Sequence, residues 1–115
     1  MRYSSHLYLR TDGTLGRYPI IEVDDTNTVV SIRECGDTLC EQAGTRFYAG
    51  VIVAGDETSG ALHFNSREEF AIAMKGREIR EGDNRGLCLI SDFDLNTFKG
   101  DTARERQLTK KLHIS

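Results

Sequence analysis

Apolar residues along this chain fall in short segments separated by clusters of Gly, Asp, Asn, Ser and Thr, and most of the segments alternate. Residues 3–9, Tyr-Ser-Ser-His-Leu-Tyr-Leu, stop at Arg10-Thr11-Asp12-Gly13-Thr14. An Asp-Gly pair adopts the positive φ of a tight turn, so a first hairpin is predicted there. Ile20-Ile21-Glu22-Val23, after Pro19, gives a second strand, and Asp24-Asp25-Thr26-Asn27 turns the chain into a third, Thr28 to Arg33. The polar side chains of that turn are explained by bonds to their own backbone. Asp37 to Gly44 carries Leu39, Cys40 and Ala43 at helical spacing and predicts a single turn or short helix.

Arg46 to Ala49 and Val51 to Ala54 are apolar stretches on either side of Gly50, where a bend, bulge or close backbone approach is expected. They are the strongest core strands. Beyond the turn-forming residues Gly55 to Gly60, Ala61 to Phe64 leads to Ser66, which with Glu69 forms a capping-box pattern. One helix is predicted near Ser66 to Lys75, with Phe70, Ala73, Met74 and Arg77 on one face and Gly76 at its end. Gly82 to Gly86 is turn chemistry, and Leu87 to Ile90 reads as a strand lying between neighbours. In the tail, Leu108, Leu112 and Ile114 fit a helix or a strand.

With 115 residues, 38% of them hydrophobic, the chain supplies one core, and its single Pro and lack of repeats leave no linker, so residues 1–115 are expected to form a single domain. A formal charge of -3 removes the strong basic field that nucleic acids or anionic membranes require. No apolar run approaches the roughly 20 residues that cross a bilayer, and Met1 to Leu9 lacks the signal-peptide pattern. A cytoplasmic chain with no nucleic-acid and no membrane partner is the expectation. Cys35, Cys40 and Cys88 cannot all pair within one molecule, which suits a reducing compartment. Cys35 and Cys40 are spaced too widely for a zinc-binding turn, and Cys88 reads as a small buried hydrophobe.

Chemistry is sparse. His6, His63 and His113 are scattered, with no second imidazole at metal-ligand spacing. Gly55 to Gly60 shares only its glycines with a phosphate loop, and Arg104 to Gln107 with Lys110 and Lys111 reads as a solvated charged face. No catalytic residue and no cofactor is predicted. One alternative is a small metal- or ligand-binding protein or hydrolase whose site is built from Asp56, Glu57 and His63 near the helix. Another is an interaction module that offers a strand edge to an incoming strand.

Residues 2–55, ending in Phe47-Tyr48-Ala49-Gly50-Val51-Ile52-Val53-Ala54-Gly55, resemble the N-terminal strands of amidohydrolase-superfamily proteins of the cytosine deaminase and chlorohydrolase type. In that family the apolar segment closes on Pro-Gly; here Ala54 replaces the Pro. Glu81 to Ile90 resembles the family's returning turn and strand, and Asp92-Phe93-Asp94 with the tail from about Leu108 resembles its last strand, which favours strand over helix for the tail. The family packs these two ends into a composite β-sandwich beside a catalytic (β/α)8 barrel inserted between them. Only about 30 residues separate the two ends here, too few for a barrel. The family's His-x-His metal pair is also missing: the chain reads Asp56-Glu57-Thr58-Ser59-Gly60-Ala61-Leu62-His63 instead.

The resemblance therefore implies a mostly β fold. Residues 2–55 and 81–114 would form the halves of a small β-sandwich, joined by a loop and helix over 56–80. It further implies a freestanding, non-catalytic relative of metal-dependent amidohydrolases acting on non-peptide carbon–nitrogen bonds. Such a module would serve as an accessory or oligomerisation domain, and the face that a barrel would cover would pair with a second copy or another protein.

Overall fold

Short polar side chains set the strand boundaries. The Asp12 carboxylate accepts from the Thr14 amide at 2.9 Å and its hydroxyl at 2.6 Å, closing the first hairpin around Gly13. Asp24 does the same for Thr26 and also takes the Thr28 amide at 3.0 Å, while Asn27 adopts the left-handed φ of 60° that short polar residues tolerate.

The computed structural model describes residues 1–35, 44–55 and 62–110. Its elements are β1 (Arg2–Leu9), β2 (Leu15–Arg17), β3 (Pro19–Val23), β4 (Val29–Glu34), β5 (Thr45–Ala54), β6 (Leu62–Phe64), α1 (Arg67–Ala73), β7 (Gly86–Ser91) and β8 (Gly100–Lys110). The mostly β fold with one connecting helix is thus present. Eight strands form one mixed sheet in the order β4-β3-β1-β5-β7-β8-β6, with β2 beside the second half of β1. Every pair is antiparallel except β1 with β5. The two ends of the chain meet where Val51 faces Ile90 and Ala54 faces Leu87. β8 changes partner along its length, facing β6 at Gly100 and Ala103 and β7 from Arg104 onward.

Both faces of the sheet centre are dry. Ile52, Ala54, Leu87 and Leu89 enter one core cluster, while their chain neighbours Val51, Val53, Cys88 and Ile90 enter another, as alternation across a strand requires. This explains why Val51 to Ala54 and Leu87 to Ile90 are continuously apolar. The first cluster, with Tyr3, Tyr8, Ile21 and Ile79, is closed by the irregular stretch 77–85. That strap is stitched to three strands: Ala54 donates to the Arg77 carbonyl at 2.8 Å, Ile79 to Leu9 at 3.0 Å and Gly82 to Val29 at 2.7 Å. The second cluster is closed by α1 and by Phe64, Phe70, Phe93 and Phe98, whose ring centroids lie 5.1 to 5.7 Å apart. Each fully buried ring among them contributes roughly 1.5–3 kcal/mol by its removal from water.

The Ser66 hydroxyl caps α1 by accepting from the Glu69 amide at 3.1 Å, and the Glu69 carboxylate reaches back to the Asn65 amide at 2.6 Å. The helix face is narrower than the spacing predicts: Phe70 and Met74 are buried, but Ala73 is exposed. Two turns of helix can present only one i, i+4 seam to a flat sheet, which leaves the i+3 position outside it. Arg77 lies beyond the helix in the strap. The resemblance placed the last strand at Asp92-Phe93-Asp94 and the tail from about Leu108; the strand spans 100–110 and takes in Leu108, while Asp92 to Asp94 lie in a bend after β7. Leu112 and Ile114 lie outside the described residues, as do Asp37 to Ala43 of the predicted short helix. Cys88 is buried, whereas Cys35 takes part in a disulfide, which a reducing setting had not led us to expect. No helix among the described residues is long and apolar enough to cross a membrane.

Candidate functional site

Of the three residues proposed from sequence as a cation site, Asp56 and Glu57 lie outside the described residues. His63 is exposed on β6, with its Nε2 3.2 Å from the Asn65 amide nitrogen. Among the described residues no three His, Cys, Asp or Glu side chains converge closely enough to hold a metal ion.

Two charge pairs, each built on a buried carboxylate, have structural work. Glu105, only 2% exposed at its side chain, is paired with Arg77, whose Nε also donates to the Ala54 carbonyl at 2.8 Å. Asp83 accepts from the Arg85 backbone amide and guanidinium, and Arg85 in turn donates to the carbonyls of Gly76 and Glu78 at 2.7 and 2.8 Å. Burial pushes the Asp83 carboxyl upward, but the bonds from Arg85 outweigh it and hold the group below the ordinary carboxylate range. The first pair clamps the strap to β8 and β5, and the second braces the strap internally.

The site with unusual geometry is where β1 and β5 fall out of register. Ser5 faces Tyr48 and Leu7 faces Val51, so His6 alone stands opposite Ala49 and Gly50. Bulges of this kind re-aim side chains and accumulate next to binding sites. The Gly50 amide donates to His6 Nδ1 at 3.2 Å, in place of a ladder carbonyl. With Nδ1 accepting, the neutral ring carries its proton on Nε2. The ring lies edge-on to Phe47 at 5.1 Å and tilted against Tyr18 at 6.2 Å. Tyr18 donates its amide to the His6 carbonyl at 3.0 Å and accepts from Cys35 at 3.1 Å. Those bonds hold it at a φ of 47°, a left-handed conformation that a bulky residue adopts only when its surroundings impose it.

Two surfaces diverge from this bulge. On one side, β7 pairs with β5 only from Val51 to Ala54 and turns away beyond Ser91, where Asp92 has a φ of 62°. No described strand pairs with that side of Thr45 to Ala49, and Phe47 is 41% exposed there. On the other side lies a groove of about 460 Å³, walled by Leu7 and Leu95 and presenting His6, Arg17, Tyr18, Arg67 and Asn96. Sequence reasoning treated His6 as one of three scattered histidines with no second imidazole at metal-ligand spacing; here its Nδ1 takes the Gly50 amide. The only signal pointing to this place was Gly50 inside an apolar strand. Compared with family models, with curated proteins and with solved structures, the chain matches none.

Proposed function

We propose that the chain is a non-catalytic assembly module that pairs with a second copy of itself along the first half of β5. In this reading it is the freestanding counterpart of the composite β-sandwich that metal-dependent amidohydrolases of the cytosine deaminase and chlorohydrolase type carry beside their barrel. The observation that carries self-association is the half-open edge from Thr45 to Ala49 with Phe47 on it. Among the other described edges, those of β4 and β6 are guarded. β4 has a register shift between its pairings at Val29 and Ser31 and ends in Arg33 and Glu34, and β6 is three residues long. A bulge, charges and shortness each discourage strand addition.

The β5 edge is also self-complementary. A two-fold axis normal to the sheet brings residues of equal parity opposite one another, so an antiparallel pairing centred on Phe47 sets ring against ring and Arg46 against Tyr48 of the other copy. Cation–aromatic contact is already a habit of this surface, since the Arg106 guanidinium sits 5.3 Å from the Tyr48 ring centroid. A five-residue edge covers less than the roughly 1,200 Å² of a standard interface, so the dimer is expected to be transient, with a Kd in the micromolar range.

Sedimentation velocity from about 1 µM to 1 mM tests this. Wild-type protein should shift from monomer to dimer, Phe47→Arg should stay monomeric because it sets like charges face to face, and Val30→Arg should behave as wild type. A monomer at every concentration, or a dimer indifferent to Phe47→Arg, refutes it.

A further inference from the structure

We infer that the groove beside His6 binds a small organic oxyanion, a carboxylate or phosphate group carried on a short apolar body. The chain holds eighteen acidic residues against fifteen Lys and Arg, yet none of the described residues that line this groove is acidic, while two are arginines. Arg67 is exposed, stands 5.0 Å over the Phe98 ring, and makes no ion pair among the described residues. Stacking on a ring limits its freedom, so less order is lost when its N–H groups meet a ligand. Because Gly50 occupies His6 Nδ1, the remaining ring nitrogen is a donor, and the Asn96 amide adds two more.

A set weighted towards cationic and neutral donors favours an anion. Leu7 and Leu95 favour an organic body over a bare ion, and the volume falls within the roughly 300–1,000 Å³ of small-ligand sites. Tyr18, fixed by two backbone bonds at a conformation it would otherwise avoid, makes one wall rigid.

The amide of Gly50 is a built-in reporter, since its bond runs to the His6 ring. In ¹⁵N-labelled full-length protein, phenyl phosphate or benzoate should produce saturable shifts at Gly50 and at groove residues, with a Kd in the millimolar range or tighter, while neutral benzyl alcohol should not. Arg17→Ala and Arg67→Ala should each weaken binding about tenfold, and added salt should weaken it in the wild type. The tighter of the two anions identifies the preferred group. No saturable shift with either anion, equal response to benzyl alcohol, or arginine variants that bind as wild type would overturn the site. Both arginines lie outside the β5 edge, so Arg67→Ala leaves self-association intact, and either property can fail without the other.

Discussion

Gly50 is a position where the fold excludes a side chain twice over, and Gly50→Ala separates the two reasons. Its φ of 138° lies where residues with a Cβ rarely go, and an added Cβ would stand 2.3 Å from the Ile90 carbonyl oxygen and 3.2 Å from Leu89 Cδ1. Ile90 belongs to β7, which is held on one side by β5 and on the other by β8, so that oxygen cannot retreat without opening a ladder. Relieving the overlap needs a shift of about 1 Å in a sheet whose strands are spaced at roughly 4.8 Å. The conformational part should cost about 1–2 kcal/mol, and with the displaced ladder the total should reach about 4 kcal/mol. That is a large share of the roughly 5–15 kcal/mol available to a domain.

Gly13→Ala is the control, because Gly13 has a φ of 85° but nothing within 4 Å of an added Cβ, so it isolates the backbone penalty at about 1 kcal/mol. Urea titrations followed by circular dichroism should show the difference in midpoint. In thermal scans the two variants should lose about 15 °C and about 4 °C respectively. If Gly50→Ala costs no more than Gly13→Ala, the close approach to β7 is not a constraint on this fold.

Three further perturbations follow from the charge pairs and the helix cap. Glu105→Ala leaves the largely buried Arg77 guanidinium without its carboxylate and should destabilise by about 3 kcal/mol by urea titration, whereas Arg77→Met combined with Glu105→Leu should cost less than the single change. Asp83 has a depressed folded-state pKa, so its contribution is complete above the unfolded value near about 4 and is lost as the pH falls through the folded value. Asp83→Asn should therefore lower stability at neutral pH and flatten its fall below about pH 4, read as urea midpoint against pH. Ser66→Ala removes the acceptor for the Glu69 amide and should cost about 1 kcal/mol, with faster hydrogen exchange confined to α1 as the signature.

Local chemistry was the legible part of this chain. The Asp12-Gly13 and Asp24 turns, the Ser66 cap and the apolar pair Val51 to Ala54 and Leu87 to Ile90 each depend on residues a few positions apart, so spacing reveals them. The parallel pairing of β1 with β5 is invisible to such reading, because hydrogen bonds between distant strands leave no periodic trace. For the same reason His6, Tyr18, Gly50 and Arg67 could not be gathered into one place beforehand: strand registry and a single bulge bring them together, not sequence distance. Ala73 misled because helical periodicity reports which residues share a face and not how wide a contact the neighbouring sheet allows.

The parallel contact between the opening strand and β5 also shapes how the molecule must be made. β1 emerges from the ribosome before β5 and finds its partner on that side only after the intervening hairpins have been synthesised, and β5 waits in turn for β7. Topologies dominated by such distant pairings fold on a scale of about milliseconds to seconds. A nascent chain halted after Gly55 would present the bare Val51-Ile52-Val53 edge, a template for aggregation until translation delivers the strand that covers it.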